Sequence, residues 1–198
     1  MIDFRYTLNQ HLLYLSYLSA TNQLRADHDQ VRRLEKIVLK CSEELYKGTK
    51  IPFSDLTKIT MIISEFIDSI HHSREEDSYF PCVASYDSLK EEIRKFMIEH
   101  EFGRNIARQI SHHLKRWKEG EDAQEPVSRY LRTYAIFLND HLTKENKFFD
   151  DAEANVLSQE EEIEMYEQYR SVFAIVKKVD EMIAEIDYLE NQPWAKLT

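Results

Sequence analysis

The chain has 198 residues, of which 42% are hydrophobic and 31% are charged, a balance that indicates a folded and not a disordered chain. Its net charge of −10 argues against partners such as nucleic acid or an anionic membrane surface, because both require basic protein surfaces. No apolar run approaches the roughly 20 residues that span a bilayer, and the start, MIDFRYTLNQ, does not resemble a signal peptide. Two cysteines are too few for a disulfide framework, so we expect a cytoplasmic protein.

The distribution of helix breakers predicts an all-α protein. Only three glycines and four prolines occur, and most lie where helices would end. Long helices are predicted at 21–47, 54–79, 87–119, 125–155 and 159–189, with an extra N-terminal helix at 5–18. Capping-box patterns support three of the helix starts: Ser88 with Glu91, Asp122 with Glu125, and Ser158 with Glu161.

Short connections between long amphipathic helices are typical of antiparallel neighbours. The sequence therefore predicts an antiparallel up-down four-helix bundle with additional N- and C-terminal helices. No glycine- or serine-rich linker divides the chain, so we expect residues 1–198 to form one domain. Its core would span about residues 20–173, and the helix at 159–189 would pack outside the bundle or make an oligomer contact.

The stretch HHSREEDSYFP, residues 71–81, places two histidines ahead of two glutamates. Positions four apart lie on nearly the same face of an α-helix. Continuing the apolar stripe from Ile67 by fours reaches His71 and Glu75, which are therefore predicted to face inward. The alternative pair, His72 and Glu76, is predicted to face solvent.

The other core helices show the same pattern. Apolar residues one turn earlier place His28, His100 and His141 on buried stripes, and Glu145 follows His141 by one turn. Each of the four helices thus buries one histidine, and two add a glutamate. The candidate ligands are His28, His71, Glu75, His100, His141 and Glu145.

Unpaired buried charges cost several kcal/mol each, so such a cluster predicts bound cations, with mutual His–Glu hydrogen bonding as the alternative. Imidazole and carboxylate without thiolate suit iron, manganese or zinc. Two glutamates that can bridge favour a pair of iron ions. Gly103, one turn beyond His100, would leave room for a metal, an exogenous ligand or a closely crossing helix.

Four phrases occur in order with helix-length spacings: LRADHDQV, HHSREEDSYFP, IEHEFGR and HLTKENKFFDDAE. Together they resemble the hemerythrin-like (HHE) cation-binding family over about residues 20–173. The resemblance implies a four-helix bundle with a non-haem di-iron centre, bridged by carboxylates and an oxo or hydroxo group, that binds O₂ or NO. It matches the same six candidate ligands.

The chain departs from the oxygen-carrying hemerythrins at two positions. Arg104 stands where they have a second histidine on the third helix, and Asn146 stands where they have an aspartate. The chain is more similar to the prokaryotic six-ligand variety, which includes proteins implicated in nitrosative stress and iron-centre repair. Fewer ligands would leave more open coordination.

Three functions follow as hypotheses. The first is a di-iron protein that binds O₂ or NO, or handles iron, for sensing or for defence against oxidative or nitrosative stress. The second is a di-iron enzyme that turns over peroxide or NO. The third is an interaction module with a structural metal, which forms a homodimer through its terminal helices. The remaining histidines, His11, His112 and His113, are predicted to lie outside the site.

Overall fold

The computed structural model describes residues 19–196, which form helices joined by short turns, with no β-strand in that range. The all-α prediction is confirmed. The α-helices are α1 (Ala20–Tyr46), α2 (Phe53–Ile62), α3 (Phe80–Ala84), α4 (Lys90–Lys118), α5 (Gln124–Asn155), α6 (Gln159–Arg170) and α7 (Phe173–Glu190). Two π-helices, π1 (Ile63–His72) and π2 (Glu75–Tyr79), and a 3₁₀ turn (Pro193–Lys196) complete the set. The predicted helix at 5–18 lies outside the described residues.

The second long helix differs most from its prediction. The chain is helical without interruption from residue 53 to 84 and changes from α to π geometry at Ile63. The run does not end at 79, because Pro81 lies in the first turn of α3, a position that tolerates proline. Ahead of it, the Phe80 N–H donates to the Glu75 carbonyl five residues back.

The predicted helix starts were partly wrong. The box at Ser158 and Glu161 is confirmed, with both of its hydrogen bonds present. Those at Ser88 and Asp122 are absent, because the N-caps are Leu89 and Ala123, one residue beyond each predicted cap, and neither makes a side-chain hydrogen bond. At Asp87 the backbone turns through a left-handed φ of 61°, which delays the start of α4. The predicted helix at 159–189 is broken at 171–172 into α6 and α7.

Buried apolar residues form two clusters. The larger, cluster 1, takes residues from the second half of α1, from α2 and π1, from the second half of α4, from the first half of α5, and from α7. The smaller, cluster 2, takes residues from the start of α1, from Tyr79 to Val83, from the start of α4, the end of α5, and α6. Helix α1 packs along α5, and α5 packs along α4. Polar residues lie between the clusters on each of these helices.

The C-terminal helices are fastened to the rest by buried polar contacts. Glu162 of α6 accepts hydrogen bonds from the Thr21 backbone N–H (2.9 Å) and hydroxyl (2.5 Å) at the start of α1. Beyond α7, the Trp194 indole N–H donates to the buried Asp55 carboxylate at 2.8 Å. Both segments therefore pack within the chain. Within residues 19–196, no helix combines the length and the apolar character that crossing a membrane requires.

Candidate metal centre

The six candidate ligands meet at one place, between the two apolar clusters. Their exposed fractions are all 2% or less. Glu145 Oε1 lies 3.1 Å from the Nε2 atoms of both His100 and His141, and its Oε2 lies 3.3 Å from His28 Nε2. Glu75 lies opposite, with Oε1 3.5 Å from His71 Nε2 and Oε2 3.4 Å from His100 Nε2. The six residues that helical phase placed inward therefore lie together.

The prediction that His72 faces solvent is wrong. His72 is 3% exposed, and its ring stacks on His100 with centroids 3.9 Å apart and an interplanar angle of 16°. An α-helix would separate adjacent side chains by about 100°. Segment π1 has wider turns, made by i→i+5 hydrogen bonds, so adjacent side chains diverge less. Both His71 and His72 consequently face inward.

The ligand atoms fall into two groups. His28, His71, Glu75 and Glu145 form the four-residue group, and His72, His100 and His141 form the three-histidine group. Within each group, one nitrogen or oxygen atom per residue lies within 4.8 Å of those of the others. Glu145 also contacts His100 and His141, so it joins the two groups.

Every histidine of the centre turns its Nδ1 atom toward an oxygen on the outer side. His100 and His141 contact the Glu76 and Glu99 carboxylates at 2.6 and 2.8 Å. Two further Nδ1 atoms make hydrogen bonds, His28 to Asn146 (2.9 Å) and His72 to Asp68 (3.4 Å), whereas His71 Nδ1 lies 3.7 Å from Asp27, too far for a hydrogen bond. An acceptor at Nδ1 fixes the ring orientation and leaves Nε2 as the free ligand atom.

Cationic side chains hold all four of these outer carboxylates. Arg104 donates to both Asp68 (2.6 Å) and Glu76 (2.7 Å). Arg74 donates to Asp27 at 2.5 Å, and Lys144 donates to Glu99 at 2.8 Å. The arginine at the position where oxygen-carrying hemerythrins have a histidine therefore belongs to the outer network. Sequence reasoning missed this network; the i,i+4 pair of Asp68 and His72 was a local signal for one of its contacts.

Burial and charge shift the pKa values at the centre. Burial lowers the pKa of His71 to about 4, so His71 is neutral at pH 7 and able to bind a metal. Burial, and then the charge of Glu145, raise the pKa of Glu75 well above its usual range. Burial works against protonation of His141, but Glu145 and Glu99 outweigh it and raise its pKa to about 9. Without a bound metal, Glu75 and His141 therefore favour their protonated forms, and a bound cation would compete with these protons.

Several inward-facing atoms make no hydrogen bond of suitable geometry to the described residues, although some of them lie within 3.5 Å of one another. These atoms are Nε2 of His28, His71 and His141, both carboxylate oxygens of Glu75, and Oε2 of Glu145. Buried polar atoms are nearly always paired. Nitrogen and oxygen atoms that lie close together without hydrogen bonds are able to act as ligands of a metal ion. The residues present therefore fit bound cations.

Gly103 provides space for a helix crossing. A Cβ atom there would lie 2.7 Å from Phe137 Cε1 on α5. The Phe137 ring stacks on His141, with centroids 5.1 Å apart. These contacts support close approach of a neighbouring helix, and Gly103 also lines a cavity that reaches His72.

The histidines predicted to lie outside the site do so where they are described. His112 is exposed, and His113 stacks on Tyr130 with centroids 5.4 Å apart. His11 lies outside the described residues. The two cysteines, one buried and one partly buried, belong to neither ligand group.

Comparison with known families gave one match. The model of the hemerythrin HHE cation-binding domain matches residues 19–152, which include all of the candidate ligands. Searches of curated proteins and of solved structures gave no significant match. The matched range is more than half of the chain and ends just beyond Glu145. The chain therefore belongs to the hemerythrin HHE cation-binding domain family.

Proposed function

We propose that this chain holds two metal ions, with iron as the native metal, on His28, His71, Glu75, His100, His141 and Glu145. One observation carries the proposal: four buried imidazoles and two buried carboxylates converge, and most of their inward atoms make no hydrogen bond to the described residues. Glu75 and Glu145 each contact histidines of both groups, so they are the residues suited to bridge two ions.

The order of the apolar clusters supports an antiparallel four-helix bundle in a single domain. Along α1 the chain passes from cluster 2 to cluster 1, and along α2 and the π segments it passes back. Helices α4 and α5 repeat this alternation. Successive helices that run in opposite directions produce this order, and the ligands then meet at mid-height.

A bound iron pair would supply reversible binding of O₂ or NO. Residues of the chain restrict which molecules reach this site. The ring centroids of Phe149 and His28 are 5.1 Å apart, and those of Phe80 and His100 are 5.8 Å apart. One end of the site is therefore lined by apolar rings that exclude water. A cavity of about 250 Å³, lined by Ser64, Asp68, Gly103 and Tyr134 among others, reaches His72. Its size admits small molecules, which supports sensing or stress defence.

The same cavity favours one alternative, turnover of peroxide or NO. Its wall includes Arg104 and Asp68, charged groups that are able to orient a polar substrate beside the centre. Steady-state assays with peroxide or NO and a reductant decide between the two functions. Binding without turnover would exclude the enzymatic one for these substrates.

Metal analysis tests the main proposal. Protein purified from iron-supplemented cells, without added metal, should carry close to two irons per chain. Its near-ultraviolet spectrum should change between vacuum, air and NO. The control is a variant with alanine at both His71 and His141, which removes one histidine from each group and should lose the iron and the spectrum. A fully folded wild-type protein that binds neither iron, manganese nor zinc would refute the proposal.

A further inference from the structure

The three-histidine group contains one residue that the six-ligand proposal does not use. His72 is 3% exposed and lies on π1 directly after His71. We propose that His72 is a seventh metal ligand, which completes a three-imidazole set with His100 and His141. This inference rests on the proposed function, since it concerns one of the two metal positions.

The outer contacts of His72 match those of the proposed ligands. Its Nδ1 atom lies 3.4 Å from Asp68 Oδ1, and Asp68 is in turn held by Arg104 at 2.6 Å. His100 repeats the arrangement, with Nδ1 on Glu76 and Glu76 on the same arginine. A carboxylate behind Nδ1 is the usual backing of a metal-bound imidazole. His72 is therefore oriented in the same way as the other four histidines.

The position of the ring also suits a shared ion. One ligand atom each of His72, His100 and His141 lies within 4.8 Å of the other two. Imidazole nitrogens bind a metal such as zinc at about 2.0–2.1 Å, so two nitrogens on one ion lie up to about 4 Å apart. The His72 ring stacks on His100 with centroids 3.9 Å apart and an interplanar angle of 16°, so the two lone pairs lie in separate planes. A shared ion therefore requires the two rings to rotate out of this stack until both nitrogens point at it.

The π geometry accounts for the presence of two ligands in adjacent positions. An α-helix with His71 inward would carry His72 about 100° away, toward the exposed side. The wider turns of π1 bring both rings into the interior, and π-helical turns occur frequently at functional sites. Arg104, on the facing helix α4, then contributes no ligand and instead holds the Asp68 and Glu76 carboxylates.

The competing role for His72 is contact with an exogenous ligand, because the ring also lines the cavity of about 250 Å³. The two roles predict different effects of replacing His72 when no exogenous ligand is bound. A metal ligand changes the electronic environment of one resting iron. A cavity residue changes only how the loaded protein binds small molecules.

Mössbauer spectroscopy of ⁵⁷Fe-loaded protein separates these roles. The variants are His72→Ala and His72→Phe, the second of which keeps a ring for packing on His100. The control is His112→Ala, which removes an exposed histidine from α4. We expect both His72 variants to change the signal of one iron, leave the other unchanged, and lose that one iron to a chelator at least tenfold more readily.

The possible outcomes are distinguishable. Signals identical to wild type in both His72 variants, with altered binding of NO or azide alone, would show that His72 lines the cavity and would overturn the inference while leaving the iron pair intact. A wild-type protein that takes up no metal would refute the proposed function itself, and the seventh ligand with it. Circular dichroism and thermal unfolding of each variant establish that the fold is retained.

Discussion

The four-residue group and the three-histidine group differ in what surrounds them. Behind His71 lie Asp27 and Arg74, which are 2% and 8% exposed and pair only 2.5 Å apart. Behind His72 and His141 lie Asp68 and Glu99, whose side chains are 40% and 26% exposed. The first group is thus enclosed by protein, and the second is backed by groups that water reaches.

The cavities show the same asymmetry. The cavity of about 250 Å³ includes His72 in its wall. A separate cavity of about 220 Å³, lined by Ser69, Arg74 and Tyr169 among others, includes no ligand of the four-residue group. We infer that the enclosed group anchors the centre and that small molecules approach from the three-histidine side.

The largest effect is expected from the loss of Glu145, which joins the two groups. Glu145→Ala takes away the carboxylate that contacts His28, His100 and His141, so both metal positions should fail. We expect iron content to fall from about two per chain to well below one after dialysis against a chelator. Glu125→Ala, the same change at an exposed position of α5, is the control and should retain both irons. An undiminished iron content in Glu145→Ala would contradict the bridging role.

A smaller effect is expected from isosteric substitutions of one outer carboxylate behind each group, which compare the surroundings of the two groups directly. Asp27→Asn leaves the Arg74 charge buried without its carboxylate, and breaking a buried pair in this way costs about 3–5 kcal/mol. Glu99→Gln weakens a partly exposed pair with Lys144, worth about 1 kcal/mol or less, and Lys144 retains Asp140 as a second partner. Urea unfolding of the metal-free proteins should show this difference.

Metal binding should follow the same order. Loss of a backing carboxylate typically weakens metal affinity by about 10–100-fold, and the enclosed Asp27 position should give the upper end of that range. Chelator competition measures the affinity of both variants. Equal effects of Asp27→Asn and Glu99→Gln on stability and on affinity would remove the distinction between an enclosed and an open group.

The sequence predicted much of this centre, because helical phase depends only on spacing and on apolar neighbours. Ile67, Phe96 and Leu138 each lie one turn from a ligand and placed it inward. The prediction failed at His72, because the change to π geometry at Ile63 depends on tertiary packing and leaves no signal that periodicity detects. It also failed at Pro81, which lies in the first turn of α3, where a residue that usually ends helices is tolerated.

The outer network was unpredictable for a different reason. Glu99 precedes His100 in sequence but contacts His141 on another helix, and Asp27 precedes His28 but faces His71. Such pairs depend on how the helices are rotated against each other, which sequence spacing within one helix does not determine. The starts of α4 and α5, with N-caps Leu89 and Ala123, were mispredicted because turn geometry and not a capping side chain sets them.

The smallest expected effect concerns the path that small molecules take. Ser64 and Ser69 are both exposed residues of π1, but Ser64 lines the cavity that reaches His72, and Ser69 lines a separate cavity that includes no candidate ligand. Ser64→Phe should narrow the first cavity and slow the association of NO with the iron-loaded protein several-fold, while Ser69→Phe should leave the rate near that of wild type. Stopped-flow absorbance measures both rates, with iron content determined in parallel. A slower rate in Ser69→Phe alone would place the entry path on the side of the four-residue group and reverse the assignment of the open and enclosed halves.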